Sequence, residues 1–312
     1  MFRFEDFTFP SSAGNLDIHV RCCIPDGPIK ACVQIAHGIA EHAERYDEFA
    51  SFLAEKGIAV YTNDHMGHGK SINDSWPLSY FGEENGWEKT ISNMRKLREI
   101  IISKHGALPI YLFGHSMGSF LARTYIIDYP DDFTGVILSG TGQQPKALVK
   151  GGKLMAKLEI KKHGSAYQSP LLNNLAFGSY NKAYENPGTD YDWLSRDKLC
   201  VDKYIADPLC GFIPSAGLFY QMMRGIDYIT DAKNLKKMNK NTPVYFMSGD
   251  ADPVGDNGKG VKKAYGSFIC AGMKDVSIRL YKEGRHEMLN ELNKTDVFDD
   301  IYEVIADWLE AK

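Results

Sequence analysis

Residues 111–122 read YLFGHSMGSFLA, and Gly114, Ser116 and Gly118 within them form the pattern G-x-S-x-G. An apolar run leads in and another leads out, as expected for a strand that turns sharply into a helix with a serine at the bend. Such a turn lifts the hydroxyl above a sheet, and the flanking glycines leave room for backbone on both sides. A serine hydroxyl is a poor nucleophile at neutral pH and needs a base to take its proton. The next N–H, on Met117, would stand at a helix N-terminus, where partial positive charge can hold an oxyanion. The pattern predicts nucleophilic chemistry at a carbonyl.

A turn of this kind implies the chain order serine, acid, histidine. Two histidines follow Ser116. His163 lies among lysines and reads as a surface residue. His286 follows the strand-like run SIRLYKEG, in the turn EGRHEML, where a parallel sheet would place its site. The acid should follow an earlier strand. PVYFMSG (243–249) runs into DADPVGD, which offers Asp250, Asp252 and Asp256. Asp252 is favoured because Pro253 stiffens the loop and keeps its predecessor extended. Asp250 is the alternative, and whichever of the two is not used would serve as a turn residue. The strand TGVILSG ends in Ser139-Gly140-Thr141, without a carboxylate. A second oxyanion donor should come from the loop after ACVQIA, which reads His37-Gly38-Ile39-Ala40. Gly38 would let backbone pass close to a substrate, and Ile39 would supply the N–H. His37 reads as a structural residue hydrogen-bonded to this loop.

The elements that must carry these residues are legible as alternating runs. LDIHVRCCIP (16–25) alternates at period two, and ACVQIAHG (31–38) and AVYTND (59–64) are continuous apolar runs typical of buried strands. PIYLFG, TGVILSG, PVYFMSG and SIRLYKEG add four more strands. Helices are predicted over 44–57, 87–106 and 119–130, and at the C-terminus, where Val297, Ile301, Val304, Ile305 and Trp308 make a stripe. Strand and helix alternating in this way predicts an α/β fold, a mostly parallel sheet with helices on both faces. From Gly142 to about Asn241 no convincing buried strand occurs. We expect a core of residues 1–142 and 242–312, with 143–241 inserted as a helical cap.

Composition narrows the function classes. The chain has 312 residues and a net charge of −4, which gives no electrostatic case for nucleic acid. No apolar run reaches the roughly 20 residues that span a bilayer. The start, MFRFEDFTFPSSAG, lacks the charged and apolar regions of a secretory signal. The six cysteines include no CxxC pair, so reduced thiols in a cytoplasmic protein are expected. The stretch DHMGHGKS (64–71) hints at a phosphate-binding loop, but the position that needs a glycine is Asp64, whose carboxylate would face the phosphates.

Taken together, HGIAEHAERY (37–46), DHMGHGKS (64–71), FGHSMGS (113–119), SGDADPVGD (248–256) and YKEGRHEML (281–289) resemble the monoacylglycerol lipase and lysophospholipase branch of the α/β-hydrolases. That resemblance implies an α/β-hydrolase fold and a serine hydrolase of carboxylic esters. It implies catalytic roles for Ser116, Asp252 and His286, and oxyanion N–H groups on Ile39 and Met117. It also implies a polar pocket for the alcohol portion lined by Glu41, Arg45 and His115, structural roles for His65 and His68, and no metal or cofactor. Ile39 is bulkier than the small residue often found there. The implied partner is a small acyl ester, as in a monoacylglycerol or lysophospholipid. An aminopeptidase or carbon–carbon bond hydrolase using the same three residues is the alternative, and a non-catalytic binding protein of the same fold is a second. Phe212, Ile213, Leu218, Phe219 and Met222 could line an acyl tunnel or form the cap's own core. Residues 146–162, KALVKGGKLMAKLEIKK, set Leu148, Leu154, Met155 and Leu158 near one helical face among lysines. Such a segment could touch an anionic lipid surface.

Overall fold

The computed structural model describes residues 1–184 and 187–311. The chain runs through β1 (Phe2–Pro10), β2 (Asp17–Pro25), β3 (Ala31–Ala36), α1 (Asp47–Glu55), β4 (Ile58–Asn63), α2 (Gly86–His105), β5 (Ile110–His115), α3 (Met117–Asp128) and β6 (Gly135–Ser139). There follow α4 (Lys146–His163), α5 (Pro170–Phe177), α6 (Lys198–Ala206), α7 (Ala216–Ile229) and α8 (Ala232–Leu235). The chain ends with β7 (Val244–Gly249), α9 (Lys259–Cys270), β8 (Val276–Tyr281) and α10 (Lys294–Glu310). The eight strands form one sheet in the order β1-β2-β4-β3-β5-β6-β7-β8. β1 and β2 are antiparallel to their neighbours, and β4 through β8 pair in parallel. This is the α/β-hydrolase arrangement expected from the motifs.

The central strands are buried on both faces, which is why they read as unbroken apolar runs. Successive residues serve opposite sides of the sheet. Cys32, Leu112, Val136 and Phe246 join a cluster with α2, α3, α7 and α9. Val33, Phe113, Ile137 and Tyr245 join a second one with α1 and α10. β1 was not anticipated. Its residues alternate in burial, and it pairs only with β2 at the sheet edge. Helix α9 was also not anticipated. Its sequence KGVKKAYGSFIC carries two glycines, yet Val261, Ala264 and Phe268 form a buried stripe.

No strand occurs among the described residues between β6 and β7. The segment is not detached from the sheet-bearing part. Helix α7 packs on α4, and also on α2 and α3. Its Gly225 lies under the indole of Trp87, and Leu218, Phe219 and Met222 enter the main core rather than a tunnel. Phe212 instead lines the cavity described next.

Candidate active site

Ser116 occupies the bend between β5 and α3 with φ 53° and ψ −120°, a strained conformation for a residue with a Cβ. Its backbone is held on both sides: the Ser116 N–H donates to Ser139 O at 2.9 Å, and Ser116 O accepts from Ser119 N–H at 2.9 Å and Ser119 Oγ at 2.6 Å. Gly118 permits the bend, since a Cβ there would run into the carbonyl oxygen of Ala36. The end of β3 is thereby brought against the start of α3. A Cβ on Gly38 would sit 3.2 Å from that of Ser116, so the loop after β3 passes beside the serine. Among the described residues no acceptor is bonded to the N–H of Met117 or of Ile39.

The order of strands places the acid and the histidine. Asp252 follows β7 and His286 follows β8, while Ser116 ends β5. His286 Nδ1 lies 3.0 and 3.1 Å from the two carboxylate oxygens of Asp252. The Asp252 side chain is fully buried and also accepts from Val254 N–H at 2.9 Å and Ser248 Oγ at 3.2 Å. Asp250 is exposed and accepts from Glu283 N–H at 2.6 Å, a turn contact away from the histidine. Burial alone would lower the His286 pKa, but the adjoining Asp252 carboxylate outweighs it and holds the imidazole above its ordinary 6.5. His286 and Ser116 face one cavity of about 330 Å³ without a hydrogen bond between them, the looser spacing common before a substrate binds.

The loop that carries His286 is clamped by the segment between β6 and β7. His286 N–H donates to Trp193 O at 3.3 Å and Glu287 N–H to Leu194 O at 2.7 Å. Trp193 and His286 rings are 5.1 Å apart. Glu291, fully buried, accepts from Arg285 N–H at 2.9 Å and from Arg196 Nε at 2.9 Å. Residues 192–196 thus form a brace for the histidine loop rather than a detachable flap.

Behind the serine stands a buried polar cluster. The Glu41 carboxylate accepts from Gly38 N–H at 2.5 Å, Tyr46 Oη at 2.9 Å and Arg45 Nη1 at 2.7 Å. Burial would raise its pKa, but Arg45 and the nearby histidines hold it at about 2. The His115 ring lies 4.7 Å from that of His286, and burial together with that neighbour pushes its pKa down to about 4. The structure brings Glu41 and His115 to the cavity wall but not Arg45. Arg45 lies one layer back, against a narrow recess that it shares with Glu41, Tyr46, His115 and Glu287.

The sequence reading missed Glu287. Its carboxylate forms a two-pronged pair with Arg45, at 2.7 and 2.6 Å, and lines the cavity. Its one sequence signal is adjacency to His286.

His37, His65 and His68 are fully buried and interlocked, and His163 is exposed. Among the described residues one side-chain group has metal-ligand spacing: His42, Asp207 and Cys210, whose ligand atoms lie within 4.8 Å of one another. His42 Nε2 and Asp207 Oδ2 are already hydrogen-bonded at 2.7 Å, and burial raises the Cys210 thiol pKa.

A model of the serine aminopeptidase S33 family matches residues 27–293. The chain belongs to that family. A monoglyceride lipase from Homo sapiens is 25% identical over 99% of this chain and 92% of its own length. A monoacylglycerol lipase from Mycolicibacterium smegmatis is 28% identical over 89% of this chain and 88% of its own length. Of solved structures, a thermostable carboxyl esterase from Bacillus coagulans in complex with glycerol superposes with a TM-score of 0.89. It shares 27% identity and covers 99% of this chain and 98% of its own.

Proposed function

We propose that this S33-family protein hydrolyses carboxylic esters, with monoacylglycerols as the substrate class, through an acyl-enzyme on Ser116. The observation that carries the reading is a strained serine facing, across one cavity, a histidine backed by a buried aspartate. The lipase and esterase relatives support it.

In the reaction, Ser116 Oγ attacks the ester carbonyl while His286 Nε2 takes its proton. The Met117 and Ile39 N–H groups hold the oxyanion. As the tetrahedral species collapses, His286 returns the proton to the departing alkoxide, leaving an acyl-serine and a free alcohol. Water, deprotonated by the same His286, then cleaves the acyl-serine. Asp252 stays ionised, fixes the imidazole's tautomer and stabilises the imidazolium.

A fluorophosphonate probe and a monoacylglycerol assay test this. We expect labelling at Ser116 and fatty-acid release, both lost in Ser116→Ala. Faster turnover of aminoacyl anilides than of esters would replace this reading with peptidase chemistry. Absence of labelling and of turnover would leave a binding protein.

Residues 143–241 are read as a cap over the cavity, since Phe177, Trp193, Tyr204 and Phe212 line it. The cap also carries the proposed lipid contact. Leu148, Leu154 and Leu158 of α4 are 65%, 60% and 52% exposed beside six lysines, and Leu171 and Leu175 of neighbouring α5 are exposed too. An amphipathic face of this kind suits an anionic bilayer surface. Sedimentation with anionic vesicles should show binding that weakens in salt and in Leu154→Glu; binding unaffected by either would refute it. No helix among the described residues is long and apolar enough to cross a membrane. A cytoplasmic location is supported by the six cysteines being free.

A further inference from the structure

Three groups of different chemistry meet outside the catalytic machinery. A ring nitrogen of His42, a carboxylate oxygen of Asp207 and Cys210 Sγ lie within 4.8 Å of one another, the one such trio among the described residues. They come from two parts of the chain. His42 follows the loop that carries Gly38 and Ile39, whereas Asp207 and Cys210 follow α6. Cys210 N–H donates to Asp207 O at 3.0 Å, which closes a turn and sets the two side chains together. The two parts already touch nearby, since Ala40 O accepts from Gly211 N–H at 3.0 Å and from Tyr204 Oη at 2.9 Å.

The donor set is that of a borderline-soft dication. Imidazole nitrogen, thiolate sulfur and a carboxylate oxygen together suit Zn²⁺, with water as the fourth ligand. Around a tetrahedral ion with bonds of about 2.0–2.3 Å, ligand atoms stand roughly 3.3–3.8 Å apart. The trio needs small shifts to reach that spacing. His42 Nε2 and Asp207 Oδ2 part from 2.7 Å, and the thiol closes from no more than 4.8 Å. Asp207 is already aimed, because its Oδ1 accepts from Leu209 N–H at 2.8 Å and leaves Oδ2 for the ion. The thiol is free and has no hydrogen-bond partner among the described residues.

The surrounding charges agree. Arg45 and the carboxylates of Asp207, Glu41 and Glu287 act on the thiol, three negative charges against one positive. That excess draws a dication. Entry is from solvent past Asp207, whose side chain is 30% exposed, while that of His42 is 7% exposed.

We propose that His42, Asp207 and Cys210 bind one Zn²⁺, which staples residues 204–212 to the loop carrying Ile39. Tyr204, Gly211 and Phe212 line the cavity, so the ion fixes that wall from outside. No step of the ester chemistry passes through it, and the site stands whether or not the chain is a hydrolase.

Cobalt reads the site directly. The metal-free 312-residue chain, kept reduced, is titrated with Co²⁺ and then with Zn²⁺. We expect one equivalent of Co²⁺ to give the visible bands of four-coordinate cobalt and a near-ultraviolet thiolate-to-cobalt band, both removed by one equivalent of Zn²⁺. Cys210→Ser should abolish the thiolate band. Asp207→Asn, which keeps the shape of the turn, should weaken Zn²⁺ binding by about tenfold or more. Zn²⁺ at about 100 times its Kd should raise the Tm of the unaltered protein by about 5 °C, and that of Cys210→Ser far less. A missing thiolate band, or one that persists in folded Cys210→Ser, overturns the proposal. So does a Tm shift that is equal in the two proteins, which would place the ion elsewhere.

Discussion

His37 Nδ1 lies 2.7 Å from the carbonyl oxygen of Gly38, while His37 Nε2 accepts the N–H of His65 at 2.9 Å. An accepting Nε2 carries no proton, so the ring is neutral and the proton is on Nδ1, donating to Gly38 O. The Gly38 carbonyl and the Ile39 N–H belong to one trans peptide and point in opposite directions. Fixing the carbonyl therefore aims the N–H. The preceding peptide is fixed as well, because Gly38 N–H donates to Glu41. We expect His37→Phe to lower kcat by about 100-fold or more with little change in KM, as for the loss of an oxyanion donor. It also strands the His65 N–H, at about 1–3 kcal/mol of stability. Steady-state kinetics alongside urea unfolding check both. A change confined to KM would refute the assigned role.

Acid should unfold this protein early. Burial holds His37, His65, His68 and His115 below the ordinary 6.5, with His68 at about 3 and His115 at about 4. Below pH 6.5 the unfolded chain binds protons at these sites and the native chain does not. Their contribution is complete above pH 6.5 and is lost as pH falls towards the native values. His286 works the other way: its raised pKa adds stability below 6.5 that disappears as pH rises through the native value. Below pH 6.5 His286 is protonated in both states and adds no slope, so the four lowered histidines set it. Urea midpoints between pH 7 and 5 should fall, with a limiting slope of about 5 kcal/mol per pH unit. A flat profile would contradict the neutral, interlocked histidines.

The two aspartates of the β7 loop should separate in kinetics. Asp252→Asn is expected to lower kcat by about 10⁴-fold and to move the acid limb of kcat/KM down, since Asp252 is what holds the His286 pKa above 6.5. Asp250→Asn touches only an exposed turn bond to Glu283 and should stay within about threefold of the unaltered enzyme. Equal losses in the two variants would reverse the assignment.

Glu291 predicts a coupling between residues 192–196 and the histidine loop. Glu291→Ala removes a fully buried carboxylate that bonds Arg285 N–H and Arg196. We expect a loss of about 3 kcal/mol in stability. Rapid proteolysis should then cut near residues 192–196 and at the 284–291 loop together. Cleavage in one segment while the other stays protected would show that they are not braced against each other.

Much of this was readable in the chain. The doubly buried strands announce themselves as apolar runs, and the serine bend is marked by Gly114 and Gly118. Strand order leads to His286 and to the loop that holds Asp250 and Asp252, between which Pro253 favours Asp252. What escaped has a physical reason. β1 is half-buried at an edge, so its phenylalanines alternate with charges and imitate a surface segment. Glu287 and Arg45 are 242 positions apart, and nothing in a single sequence marks two distant charges as partners. Arg45, expected in the cavity wall, stands one layer back, paired with that unseen glutamate.

The placement of β7 and β8 also bears on biosynthesis. The bend at Ser116 is translated before β7 and β8, the strands that Asp252 and His286 follow. Until those strands dock beside β6, the emerging chain holds a reactive geometry with no base to arm it. On the proposed mechanism, a chain in which β7 and β8 have yet to dock lacks the base that would arm Ser116.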